Sequence, residues 1–210
     1  MQKFVTVLQL IGVASFSISG AVTAIRKRFD IFGVVILACV TALGGGLIRD
    51  IIIDITPPFC FAEPLYLYVA ALTALLFFLP VVRRPLMRRQ LLFEQLLFWT
   101  DSVGLGLFAI SGVQSAMETS AEFGPPLLLF IGMLSGTGGS ILRDMMVCEM
   151  PGIFIKHVYA LAALGGSAVY LILCDLGVSQ YIAYLAGFVF IVTLRFLAAR
   201  YRWNMPRAEE

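Results

Sequence analysis

Gly44-Gly45-Gly46-Leu47-Ile48-Arg49-Asp50 recurs 94 residues on as Gly138-Gly139-Ser140-Ile141-Leu142-Arg143-Asp144. Upstream, Phe16-Ser17-Ile18-Ser19-Gly20 recurs as Phe108-Ala109-Ile110-Ser111-Gly112, and downstream Pro57 recurs as Pro151. Chance does not readily give collinear blocks at offsets of 92 to 94 residues, so the chain holds two copies of one unit. The residues around them are apolar: 60% of the 210 residues are hydrophobic and 13% charged. Soluble domains run at about 45–50% apolar, and a mean hydropathy of +0.94 excludes a water-soluble globular protein.

About 20 apolar residues cross a bilayer core about 30 Å thick. Cutting at charged or Pro-rich breaks such as Pro57-Pro58, Pro85 and Gly124-Pro125-Pro126 predicts seven spans, at 4–25, 31–53, 65–82, 91–113, 127–147, 158–174 and 179–199. Each copy of the repeat contains three, an odd number, so the second copy enters the membrane from the opposite side. The expected fold class is therefore all-α: a polytopic membrane protein of seven transmembrane helices, with an inverted 3+3 repeat plus a seventh helix. Its units are residues 1–90, 91–176 and 177–210, the last comprising the seventh helix and a cytoplasmic tail. Lys and Arg concentrate in loops one and three (Arg26, Lys27, Arg28; Arg83, Arg84, Arg88, Arg89), in loop five (Lys156) and in the tail (Arg200, Arg202, Arg207). Loops two, four and six carry Asp54, Glu63, Glu118, Glu122 and Asp175 without a basic residue. Because basic loops stay cytoplasmic, the N-terminus is expected outside and the C-terminus inside a prokaryotic plasma (inner) membrane. No small-residue cleavage site follows the first span, so it is expected to remain.

Glycine costs about 1 kcal/mol relative to Ala inside a helix, so a kink or unwound stretch is expected at each glycine block. Freed backbone at that depth is tolerated only against protein or a wet cavity. The carbonyls of 41–44 and 135–138 would then face a permeating cation. Alternatively, the glycines serve only close helix packing, as small-xxx-small patterns do. A charged residue at the centre of a spanning helix costs about 2.5–3.5 kcal/mol, so Arg49, Asp50, Arg143 and Asp144 should face inward. Neighbours on a helix point about 100° apart, which makes Arg49 and Asp50 poor partners for one another. Asp101 is expected to pair with Arg143, and its counterpart Gln9 to hydrogen-bond Arg49. Hydroxyls at Ser17, Ser19, Thr41, Ser111 and Thr137 lie at similar depth, where they line a pathway or bond back to their own helix. The candidate pore and gating residues are Thr41, Gly44, Gly45, Gly46, Arg49, Asp50, Asp101, Ser111, Thr137, Gly138, Gly139, Ser140, Arg143 and Asp144.

Glu94 and Arg195 sit near helix ends, where interface exposure is expected. His157 reads as solvated and Trp203 as an interfacial anchor. Cys39, Cys60, Cys148 and Cys174 lack metal-ligand spacing and read as packing residues. No nucleophile-base pair, phosphate loop, metal cluster or long basic run is present in the sequence, so neither an enzyme, a metal site nor nucleic-acid binding is expected.

Thr41 to Asp50, its second copy from Gly136 to Asp144, the stretch from Asp101 to Gly112, and Leu194-Arg195-Phe196-Leu197-Ala198-Ala199-Arg200 together resemble the prokaryotic branch of the trimeric intracellular cation (TRIC) channels, over about residues 5–206. The resemblance implies a homotrimer with one hourglass pore per protomer. It also implies that kinked helices two and five line that pore, helped by helices one and four, and that it passes monovalent cations, chiefly potassium. No cofactor is implied beyond the permeating ion and a bound membrane lipid. This chain departs from many bacterial members, which have Asp at the position of Gln9, and from the animal members' basic lipid motif on helix two. A rival reading is a secondary transporter or facilitator of a small zwitterion such as glycine, since Arg and helix dipoles hold a carboxylate while freed carbonyls hold an amine. A third is a membrane subunit without a pathway, with both arginines sealed by dry packing.

Overall fold

The computed structural model describes residues 2–155 and 158–203. Within them the chain forms α1 (Gln2–Arg26), α2 (Ile31–Ile52), α3 (Phe59–Ala62), α4 (Leu65–Phe78), α5 (Pro80–Arg88), α6 (Gln90–Thr119), α7 (Pro125–Met146), α8 (Gly152–Ile155), α9 (Tyr159–Asp175) and α10 (Gln180–Tyr201). Lys156, His157 and Arg207 lie outside the described residues. Five helices (α1, α2, α6, α7 and α10) are individually long and apolar enough to cross a membrane, the bent pair α4–α5 passes the same test jointly, and α9 is a 17-residue apolar helix. At about 1.5 Å per residue α9 reaches about 26 Å, close to the thickness of the apolar core. All seven expected spans thus correspond to a helix.

The third span differs from expectation. It stops at Phe78, and α5 leaves at an angle of 66°. Pro80 has no N–H to donate and would clash with the carbonyl of residue 76, so α4 cannot run through it; Pro80 instead opens the next helix. In contrast, α6 runs well past the expected end at Val113, to Thr119, because Gln114 bonds Glu118 one turn on, with Nε2 to Oε1 at 2.8 Å.

The centre of the molecule is the crossing of α2 with α7. α1 packs on α2 and α6, α6 on α7, α4 on α1 and α2, and α9 on α6 and α7, while α10 closes the outside against α6 and α9. Phe16 stacks on Phe108 at 5.6 Å, and Val13, Ile110, Ile131, Tyr170, Tyr184 and Ile191 complete the core. The outward surface is also apolar: Val7, Phe32, Ile51, Leu72 and Val189 are exposed. Such a surface is at equilibrium with lipid rather than water.

The helices remain continuous through both glycine blocks, correcting the expected unwound stretch. A methyl built on Gly45 would overlap the Ser135 carbonyl oxygen, and one on Gly139 would overlap the Thr41 carbonyl oxygen. The glycines let two backbones touch, and that contact stabilises helical geometry that glycine alone disfavours. Thr41 with Gly45, and Ser135 with Gly139, are two small-xxx-small pairs set against each other.

Candidate functional site

Arg49 and Asp50 close the last turn of α2. Arg49 Nε donates to Asp50 Oδ1 at 2.7 Å and Nη2 approaches the same oxygen at 2.6 Å, while Asp50 Oδ2 accepts the Phe59 N–H at 2.8 Å, at the start of α3. The second motif repeats this atom for atom. Arg143 Nε and Nη2 reach Asp144 Oδ1 at 2.8 and 2.7 Å, and Asp144 Oδ2 accepts the Gly152 N–H at 2.9 Å, at the start of α8. The expectation that neighbours in sequence make poor partners is therefore corrected. Their Cβ directions diverge, but the arginine side chain is long enough to curl back, and burial removes the water that would otherwise compete. Arg49, Asp50, Arg143 and Asp144 are all buried. A carboxylate accepting from a guanidinium and a backbone amide has its charge compensated on both oxygens.

Beyond this shared core the two motifs differ. Arg143 Nη1 donates to the Ser19 hydroxyl and to Asp101 Oδ1 at 3.1 Å, the expected Asp101 pair. Asp101 Oδ2 accepts from Arg195 Nη1 at 2.9 Å, so one carboxylate bridges two cations. Arg195 was expected at the interface. It is instead buried, its guanidinium carbon 4.3 Å from the Tyr159 ring centre and 5.3 Å from that of Phe98. The signal was in the sequence: Gly187, Ile191, Arg195 and Ala198 form one helical stripe, the face α10 turns inward. Glu94, by contrast, is exposed as expected.

At the other motif Gln9 does not reach Arg49. Gln9 Oε1 accepts from the Tyr66 hydroxyl at 2.8 Å, and the Arg49 guanidinium lies 5.3 Å from the Phe59 ring centre with Nη1 buried and without a hydrogen-bond partner. The amide oxygen, the one atom of Gln9 that could accept from a guanidinium, is turned to the phenol. Gly46 leaves room for that Phe59 ring, whereas its counterpart Ser140 bonds the Tyr159 hydroxyl at 2.9 Å. Tyr66→Phe is expected to cost about 1 kcal/mol through the lost bond. In a detergent thermal melt this is a small shift.

Most hydroxyls bond back to backbone. Thr41 donates to Leu37 O at 2.6 Å, Ser111 to Phe108 O at 3.3 Å, Thr137 to Met133 O at 2.8 Å and Ser140 to Thr137 O at 2.8 Å. Ser17 crosses to Ala70 O at 2.6 Å. The four cysteines are free thiols, but Cys148 is exposed and does not pack as expected. Burial, with Asp50 nearby, pushes the Cys60 thiol above its ordinary pKa and keeps it protonated.

Two cavities border the site from different ends. One, of about 340 Å³, is lined by Asp101, Arg143, Asp144 and Arg195 together with Arg26, Lys27, Glu94 and Glu149. Arg143 borders this cavity while its side chain is only 3% exposed. The other, of about 580 Å³, is lined by Gln9, Phe59 and Tyr66 with Glu63, Gln114 and Glu118, and no basic residue lines it among those described.

A family model described as "Glycine transporter" matches residues 6–81 and 98–175, leaving α10 outside the match. A membrane protein of Deinococcus radiodurans designated UPF0126 is 39% identical over 206 residues, covering 95% of this chain and 89% of that one. The UPF0126 inner membrane protein YadS of Escherichia coli K12 is 37% identical, covering 95% and 93%. Among solved structures, a TRIC cation channel superposes with a TM-score of 0.86 at 34% identity, over 98% of this chain and 97% of that one. The TRIC trimeric intracellular cation channel orthologue from Rhodobacter sphaeroides also gives 0.86 at 34%, over 95% and 99%.

Proposed function

Since this chain belongs to the multi-pass membrane-protein family that includes the prokaryotic TRIC channels and the UPF0126 proteins, we propose that it is a homotrimeric, potassium-permeable monovalent cation channel with one pore per protomer. The reading includes the inverted division into 1–90 and 91–176, with α10 outside the repeat, and an N-terminus outside the inner membrane. One observation carries it. Two cavities of different charge border the Arg-Asp motifs, one lined by Arg143 and Asp144 and the other by Phe59, the ring beside Arg49. The cavity with Glu63 and Glu118 concentrates cations, because charge of one sign in a cleft raises counter-ion occupancy. The crossing at Gly45 and Gly139 is the closed waist in this conformation. Arg49 is the mobile barrier of the pair, since its Nη1 surrenders no bond when it swings away, whereas Arg143 must leave Asp101 and Ser19.

A second reading, a glycine facilitator, is favoured by the family description and by that same unpartnered Nη1, which suits a carboxylate. Reconstitution in planar bilayers under a potassium gradient separates the two. Unitary currents reversing near the potassium equilibrium potential support the channel. Electrical silence alongside saturable glycine uptake into liposomes establishes the facilitator.

A further inference from the structure

Away from the pathway, a cavity of about 450 Å³ opens between the α1–α2 loop and α5, lined by Arg28, Arg83, Arg84 and Arg88 on one side and by Ile25, Phe29, Phe78 and Met87 on the other. We propose that this cavity is a binding site for an anionic phospholipid, whose phosphate the arginines hold while its acyl chain lies along the apolar residues.

The argument starts at Pro80. A helix turned 66° from a spanning helix runs mostly along the membrane surface. α5 carries its arginines at the level where spanning helices end, beside residues that face lipid: Val81 is 84% exposed and Met87 is 53% exposed. Arg83 is fixed by lying 4.7 Å over the Phe78 ring, which leaves Arg84 and Arg88, one turn apart, to reach outward. Arg28 comes from a separate element, the α1–α2 loop, where it is itself left-handed (φ 60°) two residues before Asp30, which caps α2. Among the described residues none of the four arginines is in a salt bridge, and none of those lining the cavity is acidic. Lys27, their neighbour, is paired with Glu149 at 2.7 Å and faces the other cavity. Four unpaired cations that converge next to an apolar wall fit a phosphodiester with chains attached. Free phosphate would use only the first half of that surface. Basic pockets at helix ends are where membranes of anionic lipid bind proteins, and a helix with arginines on one side and apolar residues on the other suits the interfacial plane. The site does not depend on what the protein conducts.

Native mass spectrometry of the full-length protein in detergent, with phosphatidylglycerol and phosphatidylcholine as probes, tests the proposal. The double variant Arg84→Gln/Arg88→Gln should bind phosphatidylglycerol about 30-fold more weakly, a factor of about five per basic residue lost. Arg28→Gln should weaken it separately, and phosphatidylcholine should bind all forms alike. Both positions are exposed, so folding is not at stake. Unchanged phosphatidylglycerol binding in these variants overturns the site. So does an equal loss in Arg200→Gln/Arg202→Gln, which would mean diffuse attraction. Displacement of the lipid by an equal concentration of inorganic phosphate overturns the lipid as occupant.

Discussion

Asp101→Asn is expected to lower stability by about 3 kcal/mol, at the lower end of the range for breaking a buried ion pair, and to disturb gating more than any other single polar replacement in the chain. The carboxylate accepts from Arg143 at 3.1 Å and from Arg195 at 2.9 Å, and all three side chains are buried. The amide keeps the shape but loses the charge and can offer only one oxygen. Two guanidinium groups would then share the neighbourhood with Asp144 as the one remaining described carboxylate bonded to either. Thermal melting in detergent micelles measures the loss, and single-channel recording measures gating. Gln9→Asn is the control, because Gln9 is bonded only to the Tyr66 hydroxyl among the hydrogen bonds seen, and should cost about 1 kcal/mol. Equal small effects of the two substitutions would sink the assignment of Asp101 as the bridging charge. A double-mutant cycle sharpens the test. Arg195→Gln in the Asp101→Asn background should cost less than in wild type, because the cation it removes has already lost its partner.

The repeat, the seven apolar runs and the Arg-Asp blocks were legible because each is a pattern in one dimension. What escaped depended on the third. The Arg49–Asp50 chelate was missed because a rule about Cβ directions describes short or solvated side chains, whereas a buried arginine with no water to turn to bends back on its neighbour. Gln9 was placed on Arg49 by analogy between the copies, yet Tyr66 claims its amide in the first copy, whereas Tyr159, 93 residues on, bonds Ser140 instead. Arg195 was placed by distance from a helix end when the stripe through Gly187 and Ile191 already pointed inward. The glycine blocks were read as weak helix, which they are in isolation. Backbone contact across the α2–α7 crossing outweighs a propensity penalty of about 1 kcal/mol per glycine, and no intrinsic scale contains that contact. Pro80 lay unread inside the expected third span, because the apolar run continues through it to Val82.

Gly139→Ala and Gly45→Ala are each expected to destabilise by about 2–3 kcal/mol, near the top of the usual range for overpacking, and the leucine variants to abolish unitary current. The added methyl meets backbone in both cases, the carbonyl oxygen of Thr41 or of Ser135, and backbone cannot turn aside as a side-chain end can. α2 and α7 must separate, which uncouples the Arg-Asp motifs that close the two helices. Gly44→Ala is the control within the same block. Its methyl would come within 2.6 Å of Leu142 Cδ1, a side-chain terminus free to rotate, and within 3.9 Å of the nearest backbone atom, so it should melt close to wild type. Wild-type stability of Gly139→Ala would refute the contact. The two alanine substitutions press on one crossing from either side, so their costs should not add: once the first has parted the helices, the second finds room. Strict additivity would mean that each glycine is relieved by local bending of its own helix, and that the crossing is not the single rigid contact proposed as the closed waist.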